Sequence, residues 1–180
     1  MAVRQRISPE EYLDLPEEKP YLEYINGEVV PKVAPDIRHL VLADEVQFRL
    51  HLYRREVGGL SGPEGRVEFD LVGEIRFLLP DVAYWAPDRP IEGTRAMLPP
   101  TLAVEIRSPG QPMDQMRARA RFFLANGVDA CWIVDAESRT VETFDRGFPV
   151  QLLREADILE SPALPGFSLS LVELFAALDR

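Results

Sequence analysis

The stretch LAVEIR has the pattern of a β-strand with one apolar face and one charged face. Leu102, Val104 and Ile106 alternate in it with Glu105 and Arg107, and successive side chains of a strand point to opposite faces of the sheet. A half-exposed strand with a solvated face would show the same alternation. Apolar stretches on both sides of the segment favour an interior strand instead, and a glutamate buried there needs a partner.

The other segments of the chain alternate between helical and strand patterns, without an internal repeat. The predicted elements are, in order, a helix over 9–15, a hairpin over 21–33 that turns at Asn26-Gly27, a helix over 37–56, two strands over 66–85 joined near Gly73, a loop over 88–100, the strand over 102–107, a helix over 113–127, a hairpin over 129–146, a strand over 148–155 and a helix over 170–180. A chain of 180 residues is long enough for one hydrophobic core. We therefore predict a single domain over residues 1–180, of α/β (α+β mixed) class, with helices packed on a mixed sheet.

Capping residues and helical periodicity define the two N-terminal helices further. Ser8 and Glu11 form the pattern of a capping box, and Asp36 stands immediately before the long helix. The apolar residues that recur at helical spacing on the long helix are Leu40, Ala43, Val46, Leu50 and Tyr53. On the next long helix we expect Phe122 and Leu124 to turn inward.

The charge balance limits how this chain could bind nucleic acid. It carries 30 acidic and 20 basic side chains, a formal net charge of −10. That charge argues against holding nucleic acid by bulk attraction, so binding would need a local basic face and a metal ion. The only lysines are Lys19 and Lys32, and all other basic side chains apart from the histidines are arginines.

Other features of the composition bear on the compartment. The single cysteine, Cys131, excludes an intramolecular disulfide and a cysteine-based zinc site. No apolar run approaches the roughly 20 residues that span a bilayer, and the first residues lack the apolar core of a signal peptide. We expect a cytoplasmic protein without a membrane partner.

Two carboxylates stand where neighbouring strands could bring them together. Asp81 follows Pro80, and Glu105 lies in the strand described first. Two such groups repel each other and resist ionising together unless a cation lies between them. Oxygen ligands of this kind suit Mg²⁺ or Mn²⁺. A nearby cationic side chain would complete an arrangement suited to metal-assisted phosphodiester hydrolysis.

The pattern formed by Pro80, Asp81, Glu105 and Arg107 resembles that of the PD-(D/E)XK nuclease superfamily. The stretches YLEYINGEVV, LPDVAYW, LAVEIRSPGQ, RARFFLANGVDACWIVDAESRTVETF and LPGFSLSLVELF occur in an order similar to that of the Uma family of restriction endonucleases. This resemblance covers nearly the whole chain. It implies a restriction-endonuclease-like fold, in which helices flank a central mixed β-sheet and a hairpin lies near the N-terminus.

The resemblance also implies roles for particular residues. Asp81 and Glu105 would be metal ligands, with the backbone carbonyl of Ile106 as a possible third. Glu23, in the first hairpin, would be an auxiliary acid near the site. His39, early in the long helix, is a weaker candidate for a base at the site.

The chain departs from the family pattern at the position of the catalytic lysine. That pattern has a lysine two residues after the glutamate, or on the following helix about four residues before an aromatic. Arg107 and Arg119, the latter four residues before Phe123, stand there instead. Arginine cannot act as a base, but it can hold a phosphate by two hydrogen bonds. Lys32 is the only spare lysine that could fold into the site.

Three functions follow from these observations. The first is a Mg²⁺- or Mn²⁺-dependent endonuclease that hydrolyses DNA, with Arg107 or Arg119 on the phosphate and a homodimer to cut both strands. The second is a degenerate nuclease fold that serves as a nucleic-acid- or protein-interaction module. The third is an assembly protein in which Glu105 forms a buried ion pair with one of the two arginines.

Overall fold

The structure is a computed structural model, and it describes residues 6–16, 18–32, 35–71, 74–92, 95–96 and 98–179. Its α-helices are α1 (Pro9–Leu13), α2 (Ile37–Val57), α3 (Met113–Ala125) and α4 (Leu171–Ala176). Its strands are β1 (Leu22–Ile25), β2 (Glu28–Pro31), β3 (Leu60–Pro63), β4 (Val67–Leu71), β5 (Glu74–Leu78), β6 (Val82–Trp85), β7 (Ile91–Glu92), β8 (Arg95–Ala96), β9 (Leu102–Arg107), β10 (Ala130–Asp135), β11 (Thr140–Asp145), β12 (Gln151–Arg154), β13 (Ile158–Leu159) and β14 (Leu169–Ser170). No helix among these residues has the length and hydropathy to cross a membrane.

The chain divides into two compact units, of which the smaller comprises Met1–Ala34 and Arg66–Leu79. Its antiparallel sheet has the order β2-β1-β5-β4. The turn between β1 and β2 is made by Asn26 and Gly27, both at positive φ, as the favoured two-residue hairpin turn requires. The predicted first hairpin is therefore confirmed. The capping box predicted at the start of α1 is also formed.

The larger unit comprises Pro35–Gly65 and Pro80–Arg180. Its six-stranded sheet has the order β12-β11-β10-β9-β6-β3. The neighbours β9 and β10 are parallel and the other pairs are antiparallel. Parallel neighbours need a long crossover connection, and α3 supplies it here. The predicted mixed sheet with helices is confirmed.

The two faces of this sheet carry different helices. Val82, Val104 and Trp132 belong to the apolar core that α2 and α4 cover. Since side chains of a strand alternate, Ala103 and Glu105 lie on the opposite face. Helix α3 packs against β9, β10 and β11. Glu105 is therefore an interior residue, 5% exposed, as the apolar flanks of its strand predicted.

Two predictions about strands are wrong. The segment 66–85 contains three strands, not two, because β6 is separate and pairs in the larger sheet. The ladder of β5 ends before Pro80, which has no N–H to donate. The predicted join at Gly73 lies outside the described residues. The segment 88–100, predicted as a loop, contains the short paired strands β7 and β8.

Two predictions about helix faces are also wrong. Leu40 is 50% exposed, whereas Leu42 is fully buried beside the correctly predicted Val46 and Leu50. In α3 the buried residues are Met116, Ala120 and Phe123, not Phe122 and Leu124. A buried stripe needs spacings of three and four residues, which the actual set satisfies. The assignment of residues 1–180 to one domain stays a prediction.

Candidate functional site

The Asp81 carboxylate closes the hydrogen-bond ladder at the start of β6. Its Oδ2 accepts a hydrogen bond of 2.7 Å from the N–H of Ile106 in β9. The strand β6 begins one residue later, so the side chain takes the place of a backbone partner. Asp81 is 5% exposed, and a carboxylate so deeply buried needs such a donor.

Helix α2 brings a second donor to the same oxygen. Asp36 caps the helix by accepting a hydrogen bond from the N–H of His39 at 2.8 Å. This places the His39 ring in the first turn, with Nε2 at 3.0 Å from Oδ2 of Asp81. The other ring nitrogen is buried and has no hydrogen-bond partner within the described residues. The ring therefore fixes Asp81 through one nitrogen.

Glu105 is held from helix α3. The Nε atom of Arg119 donates a hydrogen bond of 2.7 Å to Oε1 of Glu105. Arg119 precedes Ala120 of the buried stripe, so its side chain leaves the helix beside the sheet. Its guanidinium also lies over the Phe123 ring, at 5.2 Å from the centroid, a cation–π contact.

The strand register brings the two acids together. Val82 pairs with Val104 in the antiparallel β6–β9 ladder, so Asp81 is the next position opposite Glu105. Opposite positions on such strands have Cβ atoms about 4.5–5.5 Å apart. Two buried carboxylates at that spacing repel each other. Burial, followed by the charge of Glu105, raises the pKa of the Cys131 thiol nearby.

Arg107 is directed to another carboxylate. Its Nη1 lies 2.8 Å from Oδ2 of Asp135, and its Nε donates to the carbonyl of Gln111 at 2.9 Å. Among the described residues it makes no ion pair with Glu105. The third hypothesis, an assembly protein with a buried ion pair at Glu105, allowed either arginine as the partner. Arg107 as that partner is wrong, and Arg119 makes the contact.

The carboxylate that holds Arg107 was missed by the sequence analysis. Burial alone would raise the pKa of Asp135, but hydrogen bonds from Ser138 and the Glu137 amide, with the Arg107 ion pair, lower it below its usual value. The bond from the amide two residues later is an Asx turn. An aspartate that ends a strand before a hairpin turn is a recognisable signal for it.

Glu23 and Lys32 belong to the smaller unit. Glu23 is 8% exposed, and its Oε1 accepts a hydrogen bond of 2.8 Å from the N–H of Leu79. Lys32 follows β2 and donates its backbone N–H to the carbonyl of Tyr21 at 2.7 Å. The roles of Glu23 as an auxiliary acid and of Lys32 as a spare lysine stay predictions.

The donor set fits a hard divalent cation. The described residues contain no group of three or more His, Cys, Asp or Glu side chains placed to hold a metal. Mg²⁺ needs fewer, because it commonly takes one or two carboxylates and completes its shell with water. The N–H of Ile106 points to Asp81, and the C=O of a strand residue points to the same side as its N–H. Asp81, Glu105 and this carbonyl therefore offer oxygen atoms of the kind that Mg²⁺ or Mn²⁺ binds.

Comparisons with known proteins show the family and the fold of this chain. A family model named Uma2 and described as "putative restriction endonuclease" matches residues 9–172. A crystal structure from Anabaena variabilis, described as a putative nuclease belonging to DUF820, aligns with a TM-score of 0.83 at 23% identity. It covers 96% of this chain and 99% of its own, so the two proteins share a fold. No curated protein matches the chain.

Proposed function

The chain belongs to the Uma2 family of putative restriction endonucleases, and from this membership we propose that it is a metal-dependent nuclease acting on DNA phosphodiester bonds. One observation carries the proposal. Asp81, the residue before β6, and Glu105 of the neighbouring strand β9 are each 5% exposed, and the pairing of Val82 with Val104 makes them adjacent. Burying two carboxylates together costs free energy unless a cation compensates them. Arg119 already contacts Glu105 and His39 contacts Asp81, and a divalent cation between the two acids would relieve the repulsion that these contacts leave.

The proposed ligands are the carboxylates of Asp81 and Glu105 and the carbonyl of Ile106. Bound Mg²⁺ or Mn²⁺ would supply Lewis-acid stabilisation of the phosphate and lower the pKa of a coordinated water. His39 fixes the rotamer of Asp81 through Oδ2. The Ile106 N–H holds the same oxygen, so the orientation of the carboxylate is set before any metal arrives.

Arg119 is the proposed phosphate-binding residue, because it is the arginine in contact with Glu105. A guanidinium presents donors in a fixed plane that matches two phosphate oxygens. It cannot serve as the base, so the attacking water would have to lose its proton to solvent. Arg107 as a second phosphate ligand stays a prediction, since Asp135 holds its guanidinium.

The substrate and assembly are further parts of the proposal. A net charge of −10 opposes the approach of a polyanion, so DNA binding would depend on the metal ion and on local cationic side chains at the site. One chain supplies one pair of ligands, so cutting both strands would take a homodimer.

A second function is favoured by the arginine at position 119. Arg119 forms an ion pair with Glu105 at 2.7 Å, so its guanidinium could neutralise the charge of that carboxylate without a metal. The chain would then be a degenerate nuclease fold that binds nucleic acid or protein. This alternative predicts DNA binding, if any, that is independent of divalent cations.

Cleavage of plasmid DNA and of single-stranded DNA in Mg²⁺ or Mn²⁺ tests the proposal. The variants are Asp81→Asn and Glu105→Gln, which keep the shape of each side chain. Glu142→Gln is the matched control. Glu142 is also buried, at 6% exposed, and it pairs with Arg117 of α3, the helix that carries Arg119. We expect cleavage by the wild type and the control only. Equal activity in all four proteins, or none with any substrate and cation, would contradict the proposal.

A further inference from the structure

A cavity of about 510 Å³ lies in the larger unit, beside the end of β11 and the segment that precedes β14. The residues that line it include the acids Asp145 and Glu160 and the aromatic residues Phe148 and Phe167. Its lining contains no lysine or arginine. None of these residues belongs to the proposed metal site.

One lining residue, Asp145, has a carboxylate whose hydrogen bonds the protein supplies only in part. Asp145 is 7% exposed, and its Oδ1 accepts a short hydrogen bond from the hydroxyl of Ser161. Within the described residues, the other oxygen accepts no hydrogen bond and forms no ion pair. Burial raises the pKa of Asp145, and the Ser161 bond offsets only part of that effect.

The surroundings of this carboxylate favour a positively charged ligand. An anion would meet both Asp145 and Glu160, and a neutral ligand would leave the buried charge uncompensated. A cation would instead gain a charge-assisted hydrogen bond on Asp145. Phe148, which lines the cavity and is 56% exposed, adds an aromatic ring of the kind on which guanidinium and ammonium groups bind.

We propose that this cavity binds a guanidinium or primary ammonium group carried on a short alkyl chain. The group could belong to a free amine or to an arginine side chain of a peptide. Its charge would lie on the open oxygen of Asp145, and its alkyl chain would pack between Phe148 and Phe167. This site is independent of the proposed nuclease function.

Calorimetric titration of the full chain with two probes tests the proposal. Agmatine represents the free amine, and acetyl-Gly-Arg-Gly-amide represents the peptide side chain. We expect saturable binding of at least one probe, and the tighter one identifies the source of the group. Absence of saturable binding for both probes would overturn the proposal.

Variants locate the binding. Asp145→Asn preserves an acceptor for Ser161 and removes the charge, so affinity should fall by about tenfold or more, the loss of one charge-assisted hydrogen bond. Glu56→Gln removes an exposed charge from α2 and should leave affinity unchanged. Equal affinity in Asp145→Asn and the wild type would overturn the assignment.

A second variant supplies the cation from within the protein. Ser168 lines the cavity and is exposed, so Ser168→Arg can be accommodated without disturbing the core. Its guanidinium should occupy Asp145 and abolish probe binding, while circular dichroism stays that of the wild type. Undiminished probe binding by the folded variant would contradict the proposed position.

Discussion

Two carboxylate–arginine pairs join helix α3 to the same face of the same sheet, and only one of them belongs to the candidate site. Glu105 on β9 pairs with Arg119, and Glu142 on β11 pairs with Arg117. Both glutamates are buried, 5% and 6% exposed. Ile133 of β10 pairs with both of them in the ladders, so they lie on one line across the sheet.

The difference between the pairs lies in their neighbours. Arg117 makes two short bonds to Glu142, at 2.9 and 2.6 Å, and Glu142, followed by Asp114, raises the pKa of Arg117. Glu105, in contrast, has a second buried acid beside it, which is Asp81 at the start of the neighbouring strand β6. A buried ion pair is therefore common to both places, and the added carboxylate is what distinguishes the candidate site.

The largest expected effect separates the two arginines. Arg119→Ala should lower the rate of DNA cleavage by about a hundredfold, a loss typical of a transition-state charge contact. Arg117→Ala, from the same helix, should leave that rate within about threefold, because it removes only a structural contact. Cleavage rates at saturating Mg²⁺ measure both. Similar losses in the two variants would erase the distinction.

A smaller effect separates the two glutamates. Glu142→Gln should lower the free energy of unfolding by about 1 kcal/mol, since Arg117 is 38% exposed and can be rehydrated. Glu105→Gln should cost less, because neutralising it also relieves the repulsion from Asp81. Urea denaturation compares them. A loss of about 3 kcal/mol or more in Glu105→Gln would indicate a purely structural buried pair.

The smallest effect concerns a third pair, Asp135 with Arg107, as a reference in which the further acid, Glu137 at 3.8 Å from Arg107, is exposed rather than buried. The pKa of Asp135 in the folded protein lies below its usual value of 3.8. Between these two pKa values the unfolded state therefore binds more protons than the folded state. Its contribution to stability is therefore present above pH 3.8 and is lost as the pH falls through the folded pKa. Asp135→Asn should flatten the acid limb of stability against pH. An unchanged acid limb would show that the ion pair contributes nothing.

Local patterns in the sequence predicted much of the fold. The hairpin at Asn26-Gly27, the capping residues Ser8 and Asp36 and the interior strand with Glu105 depend on neighbouring residues, and the structure has all of them. The separate strand β6 was missed because its apolar run continues from β5. Only the pairing partners, which are distant in sequence, distinguish the two strands.

The candidate site could be predicted only in outline for the same reason. Asp81 and Glu105 were named as candidates because neighbouring strands could bring them together, and the β6–β9 register does make them adjacent. The choice between Arg107 and Arg119 was left open by the sequence, because it depends on which carboxylate each long side chain reaches. The competing acid, Asp135, lies on another strand and is fixed by its own turn.

Calorimetric titration with Mn²⁺ of the wild type, Glu105→Gln and Glu142→Gln tests the central claim most directly. We predict saturable Mn²⁺ binding to the wild type and to Glu142→Gln, and its loss in Glu105→Gln. The reason is that Glu105, unlike Glu142, lies beside the second buried acid, Asp81. Absence of binding in the wild type, or equal binding in all three proteins, would contradict a metal site at Asp81 and Glu105.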